Sequence, residues 1–289
     1  MNRYLTLTAL AVAPFAQPAP AQEGEIRLLV RADDMGSAQA INAACIRSYR
    51  EGIVKSVEVM VPGAWFLDAV RLLQENPGLD VGVHLTLTSE WERMKWRPLT
   101  HAPSLVDADG YFRPMTMQRP DFPPDTGFVE ANPRLEEVER ELRAQIETAQ
   151  RHLGKRVTHL SGHMNTAVAT PELRALTARL AKEYGLRLED EGVKFAGEFG
   201  TYTATVKERE KALVDLLQQL PPGQWLLVEH PGLDTPEMRQ MGHKGYEMVA
   251  AHRDGVTRAF TSPKVKGVIA RRHITLLSYA DLARAPAHP

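Results

Sequence analysis

The chain has 289 residues, 43% of them hydrophobic and 25% charged, with a formal net charge of -1. This is the composition of a soluble globular protein with a substantial core, and so even a charge balance excludes an electrostatic case for nucleic acid or an anionic membrane surface. A single cysteine, Cys45, excludes an intrachain disulfide and reads as a buried structural thiol within a helical pattern.

Met1-Asn2-Arg3, the mainly apolar Tyr4 to Phe15 and Ala19-Pro20-Ala21 have the layout of a secretory signal peptide cleaved after Ala21. The apolar stretch is too short to span a bilayer, and no later segment approaches transmembrane length. The mature protein, residues 22–289, is expected to be exported to the periplasm or outside the cell. It contains no repeat, low-complexity tract or domain boundary, so one domain is expected.

Leu28-Leu29-Val30 predicts a strand buried on both faces, and the run stops at two adjacent carboxylates, Asp33 and Asp34. Gly36 permits a sharp turn, Ser37 is placed to cap a helix, and Ala38 to Tyr49 read as that helix. Ile53 to Val61 predicts a second strand, Trp65 to Glu75 a helix, and Leu79 to Leu87 a third strand with His84 near its end. The order β-α-β-α-β with short connectors implies parallel strands and right-handed crossovers.

Thr88 to Pro133 breaks the rhythm, with many prolines and no sustained period. A segment this long and irregular is either a functional loop or an inert surface insertion, and Trp91 and Trp96 suggest an exposed sugar-binding surface. Arg134 to Leu153 is a strong helix. Val157 to Leu160 is a strand that runs into Ser161-Gly162-His163. Pro171 to Tyr184 is a helix with Gly185 just beyond its end. Short strands around Leu186 to Leu188 and Val193 to Phe195 precede a helix over Val206 to Leu220, and Trp225 to Val228 is a strand that ends at Glu229-His230. A helix near Gly245 to Ala259, strand residues near Val268 and Ile274 to Leu277, and a short helix from Tyr279 complete the chain.

The Asp pair, His84, His163 and His230 all follow apolar strands. In a parallel barrel such ends converge on one face. One Asp and two His there make a three-ligand metal site with open positions, leaving a carboxylate as general base and a His as general acid. A lone strand-end histidine is ordinarily a hydrogen-bonded structural residue, so the shared placement carries this reading. His159 reads as a core or supporting residue. His101, His152, His243, His252 and His273 read as surface or loop residues without a site role.

ADDMG at 32–36, VGVHLTLT at 81–88, THLSGH at 158–163 and EHPG at 229–232, with ITLLSYADL at 274–282, together resemble the YdjC/ChbG-like carbohydrate deacetylase family. The resemblance implies a distorted (β/α) barrel, TIM-barrel-like, in the α/β class. It also implies removal of N-acetyl groups from a small carbohydrate with one divalent metal ion, Zn or Mg. By motif it assigns Asp34, His84 and His163 to the metal, Asp33 to the catalytic base and His230 to the acid. Position 161 departs from the family pattern, which has Asp where this chain has Ser. The rival expectation is therefore a secreted carbohydrate-binding protein that has lost hydrolysis, or a metal hydrolase of another amide or ester. No nucleic-acid partner and no membrane span are expected, and a homodimer is the guess for assembly.

Overall fold

A computed structural model of the chain describes residues 24–284; the leader-like residues 1–21 lie outside the described residues. The elements alternate as the sequence pattern requires. Strand β1 (Ile26–Met35) leads to helix α1 (Gln39–Arg50), β2 (Ser56–Val59), α2 (Phe66–Glu75), β3 (Asp80–Leu85) and α3 (Leu135–Leu153). Then come β4 (Val157–Gly162), α4 (Pro171–Tyr184), β5 (Arg187–Leu188), β6 (Lys194–Phe195), α5 (Val206–Gln219) and β7 (Gly223–Glu229). Helices α6 (Val249–Thr261) and α7 (Pro263–Arg271), strand β8 (Thr275–Leu277) and helix α8 (Tyr279–Arg284) close the chain. Val268 thus lies in α7 and not in a strand: Pro263 at its first turn, capped by the Ser262 hydroxyl, starts a helix that the short β-branched run had concealed.

The strands form one parallel sheet in the order β5-β4-β3-β2-β1-β7-β6, with β8 also pairing β1. The sheet curls into a half-barrel flanked by helices, so the fold is a distorted α/β barrel. Alternate β1 residues serve its two sides. Leu28, Val30 and Ala32 belong to the large core shared with the helices. Leu29 joins Leu226, Leu277, Tyr279 and Leu282 in a small second cluster, which places α8 against the inner face of the sheet.

The irregular segment is not an inert surface insertion. Leu105, Phe112 and Phe128 are fully buried in it, and Trp91 and Trp96 are only 2% and 4% exposed, so neither tryptophan forms the open surface expected from the sequence. A buried backbone without regular structure needs other hydrogen-bond partners. Helix α3 supplies them from one face, at i, i+4 and i+8: Glu137 accepts from Ser104 N, Glu141 from Leu99 N and Thr100 N, and Gln145 bonds both backbone groups of Thr86.

Candidate active site

In a regular strand the consecutive residues Asp33 and Asp34 would face opposite sides of the sheet. Here the β1–β2 register shifts between Ala32 and Met35, and Asp34 takes a left-handed backbone with φ 69°. Asp tolerates that conformation better than most residues, and the local irregularity turns both carboxylates toward His84. His84 Nε2 lies 3.4 Å from Asp34 Oδ1 and 3.8 Å from Asp33 Oδ2. Gly36 completes the turn at φ 100°, where a Cβ would come within 2.7 Å of the Met60 carbonyl oxygen. Ser37 does not cap α1. Its hydroxyl instead donates to the Asp34 carbonyl at 2.7 Å, which ties the turn to the carboxylate it delivers.

The ends of β1, β3 and β4 bring Asp34, His84 and His163 together, with one ligand atom from each within 4.8 Å of the others. His163 Nδ1 is 3.2 Å from Asp34 Oδ1, and the two imidazoles meet edge to face at 5.2 Å. The outer atoms of the trio have partners. His84 Nδ1 bonds Ser161 Oγ at 2.7 Å, His163 Nε2 bonds Glu90 Oε2 at 2.9 Å, and Asp34 Oδ2 accepts from Arg253 Nη2 at 2.7 Å. The inner Asp34 Oδ1 and His163 Nδ1 are buried without a hydrogen-bond partner. Converging, orphaned N and O donors with their far sides anchored are what a bound cation requires. The electrostatics agree. Burial opposes a charge on His163, yet Glu90 and Asp34 raise it to about 10, so this cluster favours a positive charge at its centre. Burial likewise opposes a charge on Asp34, and Arg253 holds its carboxyl well below the usual carboxylate range.

Asp33 sits beside this trio and not within it. Arg31, two residues back on the same face of β1, grips it with two hydrogen bonds of 2.8 and 2.9 Å. Against the cost of burial, Arg31 and then His84 keep its carboxyl below the ordinary value. His230 follows β7 at the cavity wall, half-buried, with Nδ1 3.9 Å from Glu229. Burial lowers its proton affinity, but Asp34 and Glu229 outweigh this and raise it. The fold brings the five residues named from sequence, Asp33, Asp34, His84, His163 and His230, to the lining of one cavity of about 650 Å³.

Several partners were not found from sequence. Arg31 carried a signal, its two-residue spacing from Asp33. Glu90 lay in the segment without period, Glu58 and Glu189 (which accepts from Arg31 Nη1 at 2.6 Å) carried no local cue, and Arg253 belongs to helix α6. Two of the histidines set aside also belong to the cavity wall: His243 stacks on Trp91 at 5.6 Å, and His252 is buried with Nδ1 2.5 Å from the Tyr246 hydroxyl. His159 is a core residue, stacked at 3.6 Å on Tyr279 and in close contact with Glu58.

The sequence profile described as YdjC-like protein matches residues 27–271. A carbohydrate deacetylase of Thermus thermophilus is 35% identical to this chain over 274 residues, covering 85% of it and 90% of the relative. One from Vibrio cholerae is 28% identical over 91% of this chain and 99% of its own. A crystal structure from Enterococcus faecalis, of a protein named for cellobiose-phosphate cleavage, superposes with a TM-score of 0.72 at 25% identity. That superposition covers 89% of this chain and 99% of the other.

Proposed function

The chain belongs to the YdjC-like family and is a carbohydrate deacetylase, and from that premise we propose that it hydrolyses the acetamide of an amino sugar or small oligosaccharide with the help of one divalent cation. The observation that carries the metal reading is the convergence of Asp34, His84 and His163, with Asp34 Oδ1 and His163 Nδ1 left as buried orphans between them. Two nitrogens and one carboxylate suit Zn²⁺, and Mg²⁺ is the alternative. A cation held there supplies Lewis acidity toward the attacking water and the acyl oxygen.

The chain's own residues supply the proton transfers. Asp33, kept ionised by Arg31 and lying outside the ligand trio, takes a proton from water as its oxygen bonds to the acetyl carbon. As the C–N bond breaks, His230 gives its proton to the departing amine, and the products are acetate and the free amino sugar. Trp96, edge-on to His163 at 5.8 Å, and Trp91 shield the ligand side of the site from bulk water.

Acetate release from N-acetylated mono- and oligosaccharides, with chelator and after readdition of Zn²⁺, Mg²⁺ or Mn²⁺, tests the proposal. Metal-requiring release is the expected result. No release with any metal, while the ion is bound, would redirect the reading to another acyl substrate. The leader-like residues 1–21 support action outside the cytoplasm, and cell fractionation with N-terminal sequencing of the mature protein tests that.

A further inference from the structure

Position 161 is where this chain lacks the carboxylate expected from its family resemblance, yet a carboxylate stands directly behind the Ser161 hydroxyl. Ser161 Oγ lies 2.7 Å from His84 Nδ1 and donates to Glu58 Oε2 at 2.6 Å. Glu58 comes from β2, two strands away from Ser161 on β4, with β3 between them. It reaches across because β3 carries Gly82 opposite Glu58 and His159 in the two registers. A Cβ at Gly82 would lie 2.6 Å from Glu58 Oε2 and would also collide with His159 Nε2. The glycine opens the passage through which the carboxylate acts.

We infer that Glu58 and Ser161 form a two-residue relay that replaces a single carboxylate in orienting His84, making both positioning residues for the metal site. The inference rests on the metal reading of Asp34, His84 and His163. A serine hydroxyl has one hydrogen, and here it goes to Glu58. The bond to His84 must then be donated by Nδ1–H, which fixes the tautomer with the Nε2 lone pair toward Asp34 Oδ1 at 3.4 Å. The other Glu58 oxygen is in close contact with His159 Nε2, and a proton held in that contact leaves Oε2 free to accept from Ser161. Ser161 is therefore no sign of a dead site. It is one half of a carboxylate moved to another strand.

The test is the Zn²⁺ affinity of chelator-stripped full-length protein, read by competition with a chromophoric chelator, with circular dichroism as the control for folding. Ser161→Ala and Glu58→Ala should each weaken Zn²⁺ about 10–100-fold, the usual effect of losing a group that orients a ligand. Glu58→Ala combined with Ser161→Asp should recover most of that loss, because an Asp at 161 can bond His84 directly. A purely structural role for Glu58 would not be rescued in this way. Wild-type affinity in Ser161→Ala, which removes only a hydroxyl, would overturn the relay. So would a folded double variant no tighter than Glu58→Ala, or a wild-type protein that binds no Zn²⁺. Tight Zn²⁺ binding with no acetate release would count against the substrate reading alone and leave the relay standing.

Discussion

Arg253 and Asp34 are 219 positions apart in sequence, and the Arg253 guanidinium donates to Asp34 Oδ2 at 2.7 Å in a buried ion pair. The pairing divides one carboxylate between two tasks. Oδ2 is neutralised by the arginine, while Oδ1 is left facing His84 and His163. Breaking one side of a buried pair commonly costs about 3–5 kcal/mol, because the remaining charge stays buried. Arg253→Met should therefore lower the melting temperature in chelator. A bound cation would compensate Asp34 in the variant, so Zn²⁺ should recover part of the loss. Equal losses with and without Zn²⁺ would separate Arg253 from the cation's site.

Asp33→Asn should keep the metal and lose the proton acceptor. General base catalysis contributes about 10²–10⁴-fold, and a fall of that size in acetate release is expected with one ion still bound per chain. The measurement is turnover alongside metal content. Near-normal turnover would remove Asp33 from the base role, and loss of metal would make it a ligand.

His230 must carry a proton to serve as the acid, and Asp34 and Glu229 raise its proton affinity against the opposing effect of burial. A raised value means that the protonated form persists to higher pH than in a free histidine, near 6.5. Activity should then decline on the alkaline side as pH rises through the His230 value. His230→Gln should be slow and should lack that alkaline limb. A variant with the wild-type limb would assign the limb to another group.

Tyr202 is 62% exposed at the cavity rim and lies 4.5 Å from the Tyr246 ring. An exposed aromatic face suits the apolar face of a sugar distant from the reacting acetamide. Tyr202→Ala should raise KM for an oligosaccharide by roughly 2–10-fold, a contact worth about 0.5–1.5 kcal/mol, with kcat little changed. The effect should shrink for a monosaccharide. A fall in kcat at constant KM would place Tyr202 closer to the chemistry.

How much of the site was legible depended on whether a residue's role was local. Asp33, Asp34, His84, His163 and His230 each follow an apolar strand, and a parallel barrel sends such positions to one end. The sequence order therefore named them. Arg31 could have been added from the two-residue period of β1. The tryptophans were misjudged because aromatic residues among prolines look exposed in sequence. Their burial comes from distant partners, since Trp91 stacks on His243 and Trp96 donates to the Thr88 carbonyl beside His163. Glu137 and Glu141 of helix α3 satisfy part of the segment's backbone.

The sequence by itself determined the alternating β/α order, the family and the five candidate site residues, because periodicity and motif spacing are properties of neighbouring positions. The tertiary structure alone decided that Glu90 and Arg253 brace the ligand trio and that Glu58 stands behind Ser161 across the gap at Gly82. Those partners lie on separate strands, a loop and a helix, and a hydrogen bond of 2.6–2.9 Å between them exists only once the sheet has curled. No spacing along the chain encodes a contact that the barrel's curvature creates.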